Sequence, residues 1–173
     1  MDAYTILFRI VHIASAILWF GSAVFYSAFV GPTLRAVGAD GSRFFNHLVR
    51  QQKAVIFFLV VSTSTVVAGA FLYWRDSGGF GIGWMQTGFG TGLTVGAVAG
   101  LISWLLVLLV LAPTSYRLTA LGERIAAHGG PPSREQMASV QALQSRLNGF
   151  SLVNIASLGI ATLAMATARY LNL

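Results

Sequence analysis

Four long apolar runs constrain the fold of this chain more than any other feature. They cover about residues 4–30, 55–74, 88–112 and 150–171. A helix of about 20 apolar residues spans the roughly 30 Å hydrocarbon core of a bilayer. Inside lipid the backbone polar groups must be satisfied within the segment, so such runs fold as helices. The sequence therefore predicts an all-α integral membrane protein, a single four-helix transmembrane bundle over residues 1–173.

Helical patterns also occupy the segments that join the first run to the second and the third run to the fourth. Helical projections, continuous with the spans, are predicted for about residues 42–54 and 114–149. Ser133 and Gln136 have the spacing of a capping box, which predicts that the fourth helix begins there, after a turn over residues 129–132. The bundle should therefore extend beyond the membrane on this side.

The basic residues indicate the orientation of the chain. Only 9% of the residues are charged, and the net charge is +6. Eight of the eleven basic residues lie in the first and third loops: Arg35, Arg43, Arg50, Lys53, Arg117, Arg124, Arg134 and Arg146. The positive-inside rule predicts a multi-pass protein of the bacterial inner membrane with these loops in the cytoplasm and both termini external. Because the basic residues border the spans, the lipid bilayer and not nucleic acid is the expected partner.

The composition excludes several kinds of chemistry. The chain has no cysteine, which excludes disulfides, thiolate metal sites and iron–sulfur clusters. The acidic residues all lie outside the spans or at their edges: Asp2, Asp40, Asp76, Glu123 and Glu135. A carboxylate proton relay across the membrane is therefore not expected, and no catalytic residue is assigned.

His12 is the residue of the spans with the clearest functional potential. An ionisable side chain at membrane depth is costly, so its presence favours a functional site. With a rise of 1.5 Å per residue, His12 lies about 8 Å to the outer side of the bilayer midplane and His47 about 25 Å to the inner side, so the two cannot bind one metal ion. The same arithmetic places Gly69, Gly96 and Met165 of the other three spans at the depth of His12.

These residues are compatible with two cofactors and with a purely structural role. If the first and fourth spans touch, Met165 places a thioether opposite the His12 imidazole, a ligand pair that suits haem iron or Cu(I). Arg9 lies one turn from His12, where it can pair with a haem propionate, and Trp19 is expected beside the same site. In the structural alternative, His12 hydrogen-bonds a neighbouring helix and Met165 fills core space.

Small residues form a regular stripe in the third span. Its glycines recur every four residues, at Gly88, Gly92, Gly96 and Gly100. Such a stripe allows two helix backbones to approach closely, and the alternative is a slot for a flat cofactor. The face formed by Gly92, Gly96 and Gly100 is also a candidate contact for another membrane protein or a second copy of the chain.

A weak internal repeat relates the ends of the first and third spans. Pro32-Thr33 followed by Arg35 is similar to Pro113-Thr114 followed by Arg117. Two hairpins related by an axis along the membrane normal would explain the repeat. Proline and arginine also commonly end spans at the inner interface, which is the alternative explanation.

Residues of the first helix resemble a known group of families. His12, Trp19 and Gly21 resemble the first-helix signature shared by the copper-resistance D family and the bacterial four-helix membrane protoporphyrinogen oxidase. The stretch over residues 19–34 and the ending over residues 165–171 look like bacterial membrane proteins related to that group. The resemblance implies a four-helix fold with a haem at His12. The oxidase also uses a lysine in its third helix, and the third span here has no charged residue.

The sequence thus leads to three functional hypotheses, and it leaves open whether the protein is an enzyme. The first is binding of a haem-like tetrapyrrole, haem b, at His12 for electron transfer or redox chemistry. The second is a non-catalytic accessory subunit of a larger membrane complex. The third is copper binding or transport through His12 and Met165.

Overall fold

The structure, a computed structural model, describes residues 2–171, and no strand occurs in that range. Four helices are long and apolar enough to cross a membrane: α1 (Ala3–Ala36), α3 (Ala54–Asp76), α5 (Gly88–Ala127) and α6 (Arg134–Tyr170). Two shorter helices lie between them, α2 (Ala39–Arg50) and α4 (Ile82–Met85). The predicted all-helical fold with four helices of membrane-spanning length is confirmed, and these helices suggest a multi-pass membrane protein.

The two ends of the bundle differ in composition. We call the end with residues 37–53 and 128–133 the basic end, and the end with residues 2, 77–87 and 171 the terminal end. The helices α5 and α6 meet at the basic end. They contain 40 and 37 residues, which correspond to lengths of about 60 and 55 Å, so each is longer than the hydrocarbon core of a bilayer is thick. In the segment 114–149, residues 114–127 continue α5 and residues 134–149 begin α6, and the turn at 128–133 joins the two helices.

The start of α6 is the capping box that the sequence predicts. Ser133 Oγ accepts a hydrogen bond from the Gln136 backbone N–H at 3.1 Å, and Gln136 Oε1 accepts one from the Ser133 backbone N–H at 2.8 Å. Two backbone donors at the helix start are thereby satisfied. The turn that precedes them includes Gly129, whose φ of 66° lies in the left-handed region that glycine favours.

The projection predicted for residues 42–54 is wrong in one respect. It forms a separate helix, α2, which ends at Arg50, and Lys53 has a left-handed φ of 54° before α3 begins. The break allows α2 to fold back, so that Val49 is buried against Val55 of α3 and Ala112 of α5. The depth estimated for His47 assumed a continuous helix and does not apply, although this exposed residue does lie at the basic end.

The four long helices pack as two hairpins. The closest pairs are α1 with α3 and α5 with α6, and α3–α5 and α1–α6 contacts join the pairs. Each long helix contributes to one buried core that contains Trp19, Val61, Val107 and Leu158. The asparagines of α6 bond neighbouring helices, Asn148 with Arg35 at 2.9 Å and Asn154 with Ser103 at 2.5 Å.

Part of the glycine stripe forms the α5–α6 contact. A Cβ atom at Gly92 would lie 2.8 Å from Ala168 Cβ, and one at Gly96 would lie 2.5 Å from Met165 Cγ. The close helix contact predicted from the stripe is therefore present at these two positions. Residues of α6 fill the space at Gly92 and Gly96, so no partner can bind there. A Cβ at Gly100, in contrast, would meet no described atom within 4 Å.

The internal repeat extends to the backbone. Both α1 and α5 contain a five-residue π-helical segment near the basic end, Tyr26–Val30 and Val107–Leu111. Pro32 and Pro113 each follow their segment by two residues. A proline inside a helix lacks the N–H donor and clashes with the carbonyl four residues earlier, and the wider π turn accommodates it.

The orientation of the bundle remains a prediction, and two exposed positions test it. Gly83→Cys at the terminal end should react with an impermeant thiol reagent in intact cells. His128→Cys at the basic end should react only after permeabilisation, because the positive-inside rule places this end in the cytoplasm. Both residues are exposed, and a Cβ at Gly83 meets no atom within 4 Å. Labelling of intact cells at His128 alone would reverse the orientation.

An ion pair joins α2 to the projecting part of α5. Glu123 accepts hydrogen bonds from Arg50 Nε and Nη2, each at 3.0 Å, and from Asn46 Nδ2 at 3.3 Å. Hydrogen bonds from Arg50, and then from Asn46, hold the pKa of Glu123 below its ordinary value of 4.5. A carboxylate with a lowered pKa stabilises the folded state above its unfolded pKa, and this contribution is lost as the pH falls through the folded pKa.

Glu123→Gln should therefore lower the melting temperature at pH 7 by a small amount, since the pair is solvent-exposed. The difference from the wild type should disappear as the pH falls below 4.5 toward the lowered pKa. Melting of both proteins in detergent across this pH range measures the effect. Asp40→Asn is the matched control, because the Asp40–Arg43 pair is 3.6 Å long and its side chains are 82% and 85% exposed. An equal effect of both substitutions would contradict the role of the Glu123 pair.

Candidate cofactor site at His12

His12 projects from α1 toward α3. Its Nδ1 lies 2.8 Å from the backbone oxygen of Thr65. A carbonyl oxygen can only accept a hydrogen bond, so Nδ1 carries the hydrogen and donates it. In the neutral imidazole this leaves the lone pair on Nε2, which is the arrangement of a histidine that binds a metal through Nε2.

Gly69 makes this hydrogen bond possible. It lies one turn after Thr65 on α3, and a Cβ atom at this position would lie 2.8 Å from His12 Cε1 and 2.9 Å from His12 Nδ1. Any side chain here would push the ring away from the Thr65 carbonyl. The depth estimate that pairs Gly69 with His12 is therefore correct, and the space that glycine leaves is occupied by the histidine itself.

Polar and aromatic contacts on both sides of His12 hold α1 and α3 together. The Thr65 hydroxyl lies 2.9 Å from Ser15 Oγ, and both side chains are buried. Toward the terminal end, the rings of Phe8 and Phe71 stack with their centroids 4.1 Å apart. The packed helix pair and the hydrogen bond to Thr65 thus fix the position and the tautomer of the imidazole. The sequence alone does not connect Thr65 with His12, whereas Ser15 follows His12 by three residues and so lies near it on α1.

The second ring nitrogen of His12 is available for a ligand. Nε2 makes no hydrogen bond to any residue that the structure describes, and it is not among the fully buried side-chain atoms. The residue as a whole is half-buried. A half-buried imidazole with a fixed tautomer and a free lone pair can bind a metal.

Met165 lies on the other hairpin. Its side chain packs into the space left by Gly96, as the contact of Gly96 with Met165 Cγ shows. The arithmetic that places Gly96 and Met165 at one depth is therefore correct. His12 contacts α3, whereas Met165 contacts α5, so the structure brings each residue to a glycine of its own hairpin.

Arg9 and Trp19 lie at other depths of α1 than His12. Arg9 is exposed in an apolar groove with Ile6, Ile10, Ile13 and Ile17. Trp19 lies in the core, only 1% exposed, and is about 10 Å from His12 along the helix axis. Its Nε1–H is buried without a hydrogen-bond partner among residues 2–171. The structure therefore places Trp19 nearer the basic end than His12 and not beside it.

The described residues contain no group of three or more His, Asp or Glu side chains that could hold a metal ion. Haem iron does not require such a group, because the porphyrin supplies four ligands and the protein supplies one or two. A single histidine with a free ring nitrogen can supply such a ligand. Comparison of the chain with protein-family models, with curated proteins and with solved structures finds no match.

Proposed function

We propose that this protein binds haem b, or a closely similar tetrapyrrole, through His12 and uses it for electron transfer or redox chemistry. The observation that carries the proposal is the hydrogen bond from His12 Nδ1 to the Thr65 carbonyl, which leaves Nε2 free. This is the outer-shell contact that histidine ligands of metals commonly make. The resemblance of His12, Trp19 and Gly21 to haem-associated membrane families favours the same function.

The residues around His12 have distinct roles in this proposal. A bound haem supplies a reversible one-electron change at its iron. The Thr65 carbonyl keeps the hydrogen on Nδ1 and makes Nε2 a stronger donor to a metal. Gly69 leaves the room that this hydrogen bond needs. Arg9, one turn nearer the terminal end, provides a guanidinium for a propionate.

Met165 is the proposed second ligand. It lies at the depth of His12 by helix-rise arithmetic and belongs to the opposite hairpin. A Met165 thioether that held the iron together with the His12 imidazole would raise the reduction potential. The same pair of side chains would suit Cu(I), so copper binding is the alternative metal function. Because one protein ligand can hold haem, His12 would have the larger role.

An absorption spectrum tests the proposed function directly. Protein purified from haem-replete cells should show a Soret band, and cofactor-free protein should acquire this band when haem is added. Titration with Cu(I) under reducing conditions is the parallel measurement for the copper alternative. A colourless protein that binds neither would contradict both proposals, and the function of an accessory subunit would take their place.

A further inference from the structure

A second cavity, unrelated to His12, lies in the basic half of the bundle. Its walls come from both π-helical segments and from α2, α3 and α6, and its volume is about 90 Å³. One water molecule requires about 10–15 Å³ of such space. The cavity therefore has room for a head group of several atoms. Irregular π turns in membrane helices are frequently found at functional sites.

Several polar residues that line this cavity have side-chain groups without protein partners. Tyr26, Ser27, Ser151 and Asn154 are among its lining residues. The Tyr26, Ser27 and Ser151 hydroxyls and the Asn154 Nδ2 make no hydrogen bond to any described residue, and none is among the fully buried atoms. Unpaired polar groups inside an apolar bundle are costly, so their convergence indicates a polar occupant.

Asn154 gives the clearest sign of such an occupant. The residue is only 3% exposed. Its Oδ1 accepts a hydrogen bond from Ser103 Oγ at 2.5 Å, which fixes the orientation of the amide. The two Nδ2 hydrogens are then left for the cavity that Asn154 lines. Because its oxygen is held by Ser103, the buried amide has an oriented NH₂ group that can donate to a ligand.

The chemistry of the wall defines the class of ligand. None of the described lining residues is charged, which favours an uncharged ligand. The Asn154 amide and the hydroxyls can all donate, which favours carbonyl oxygens as acceptors. The remaining wall is apolar and includes the rings of Phe45 and Phe58. Such a wall suits a flat ring or an aliphatic chain.

We infer that this cavity binds the carbonyl-bearing head group of an uncharged molecule dissolved in the bilayer. Two sources share this chemistry, a quinone and the ester group of a glyceride lipid. The inference does not depend on haem at His12, because the cavity shares no residue with that site. Both π-helical segments line the cavity, so both would contact this ligand.

Binding measurements on the purified protein in detergent test the inference with three probes. A decyl-substituted benzoquinone represents the first source, dioctanoylglycerol represents the second, and decanol is the control without a carbonyl group. At least one carbonyl probe should bind saturably, and more tightly than decanol. Calorimetric titration gives the dissociation constants. Tight binding by the quinone alone, or by the glyceride alone, identifies the source.

Two single-atom variants connect the binding to this cavity. Tyr26→Phe and Ser151→Ala each remove one hydroxyl that has no described protein partner, so both proteins should fold normally. Each should weaken the binding of the carbonyl probe about two- to tenfold, the usual effect of one hydrogen bond. Tyr73→Phe is the matched control, because its hydroxyl bonds Thr94 Oγ1 at 2.6 Å elsewhere in the bundle. It should leave the affinity unchanged.

The inference would be overturned if decanol bound as tightly as both carbonyl probes. Unchanged affinity in Tyr26→Phe and Ser151→Ala would also overturn it, because the probe would then bind outside the cavity. In either case the cavity holds water or an aliphatic chain. Because these readouts do not involve haem absorbance, they can fail or succeed independently of the function proposed for His12.

Discussion

His12→Ala is expected to abolish the haem absorbance of the purified protein, whereas His47→Ala should leave it unchanged. His12 is the histidine with a fixed tautomer and a free Nε2 inside the bundle. His47 is exposed on α2 at the basic end, where its Nε2 lies 3.4 Å from Gln52 Nε2. Loss of the only proposed nitrogen ligand should remove the Soret band, and substitution of an exposed histidine should not. Spectra of the two variants, purified in parallel, measure the difference.

Gly69→Ala tests the same site without removing the histidine. The added Cβ would lie within 2.9 Å of His12 Nδ1, so the ring should lose its hydrogen bond to the Thr65 carbonyl. Haem should then bind more weakly and with a shifted spectrum, because the orientation of the ligand is disturbed. Gly21→Ala is the matched control, since a Cβ at Gly21 meets no atom within 4 Å.

Met165→Ala separates the two proposed ligands. The variant should keep its haem. Its absorption spectrum should change or its reduction potential should fall, because a thioether ligand raises the reduction potential. An unaltered spectrum and potential would remove Met165 from the proposal and leave His12 as the ligand from this chain. Retention of the full Soret band in His12→Ala would contradict the site itself.

The positions of residues along the helices could be predicted from the sequence, because helix rise is nearly constant. The contacts of Gly69 with His12 and of Gly96 with Met165 both follow from counting residues from the middle of each span. The capping box at Ser133 could also be predicted, since it depends on two residues that are three positions apart.

The directions of side chains around each helix axis could not be predicted in the same way. Arg9 is three residues from His12, and it lies in an apolar groove that does not include His12. Which face of a helix is buried depends on the helices that pack against it, and these neighbours cannot be predicted from a single sequence. Trp19 was expected beside His12, but it follows His12 by two helix turns, so it lies about 10 Å farther along the axis and belongs to the core.

The π-helical segments and the polar cavity were also missed. Pro32 and Pro113 signal that the helix is disturbed, but not whether it kinks, ends or widens. The cavity collects Tyr26 and Ser27 from α1 and Ser151 and Asn154 from α6, residues more than a hundred positions apart. No local pattern connects such residues, so only the packed structure reveals the site.

The largest loss of stability is expected from replacing the glycines between α5 and α6. Gly92→Leu would bring a Cβ to 2.8 Å from Ala168 Cβ and 2.9 Å from Ala168 Cα. Backbone atoms cannot move aside as a flexible side chain can, so the two helices must separate. Overpacking of this kind costs about 1–3 kcal/mol, and Gly92→Leu should lie at the upper end of that range.

The three glycines of the stripe should therefore differ in a defined order. At Gly96 the clash is with Met165 Cγ and Cε and, at 3.2 Å, with the Ala161 carbonyl oxygen, so part of the strain can be relieved by a rotamer change of Met165. Gly100→Leu is the matched control, because its Cβ would have nothing within 4 Å. Thermal unfolding in detergent should give the largest decrease in melting temperature for Gly92→Leu, a smaller decrease for Gly96→Leu and almost none for Gly100→Leu. Equal decreases at all three positions would mean that the whole stripe is packed, and that Gly100 contacts a second molecule. An unchanged melting temperature in Gly92→Leu would contradict the α5–α6 contact itself.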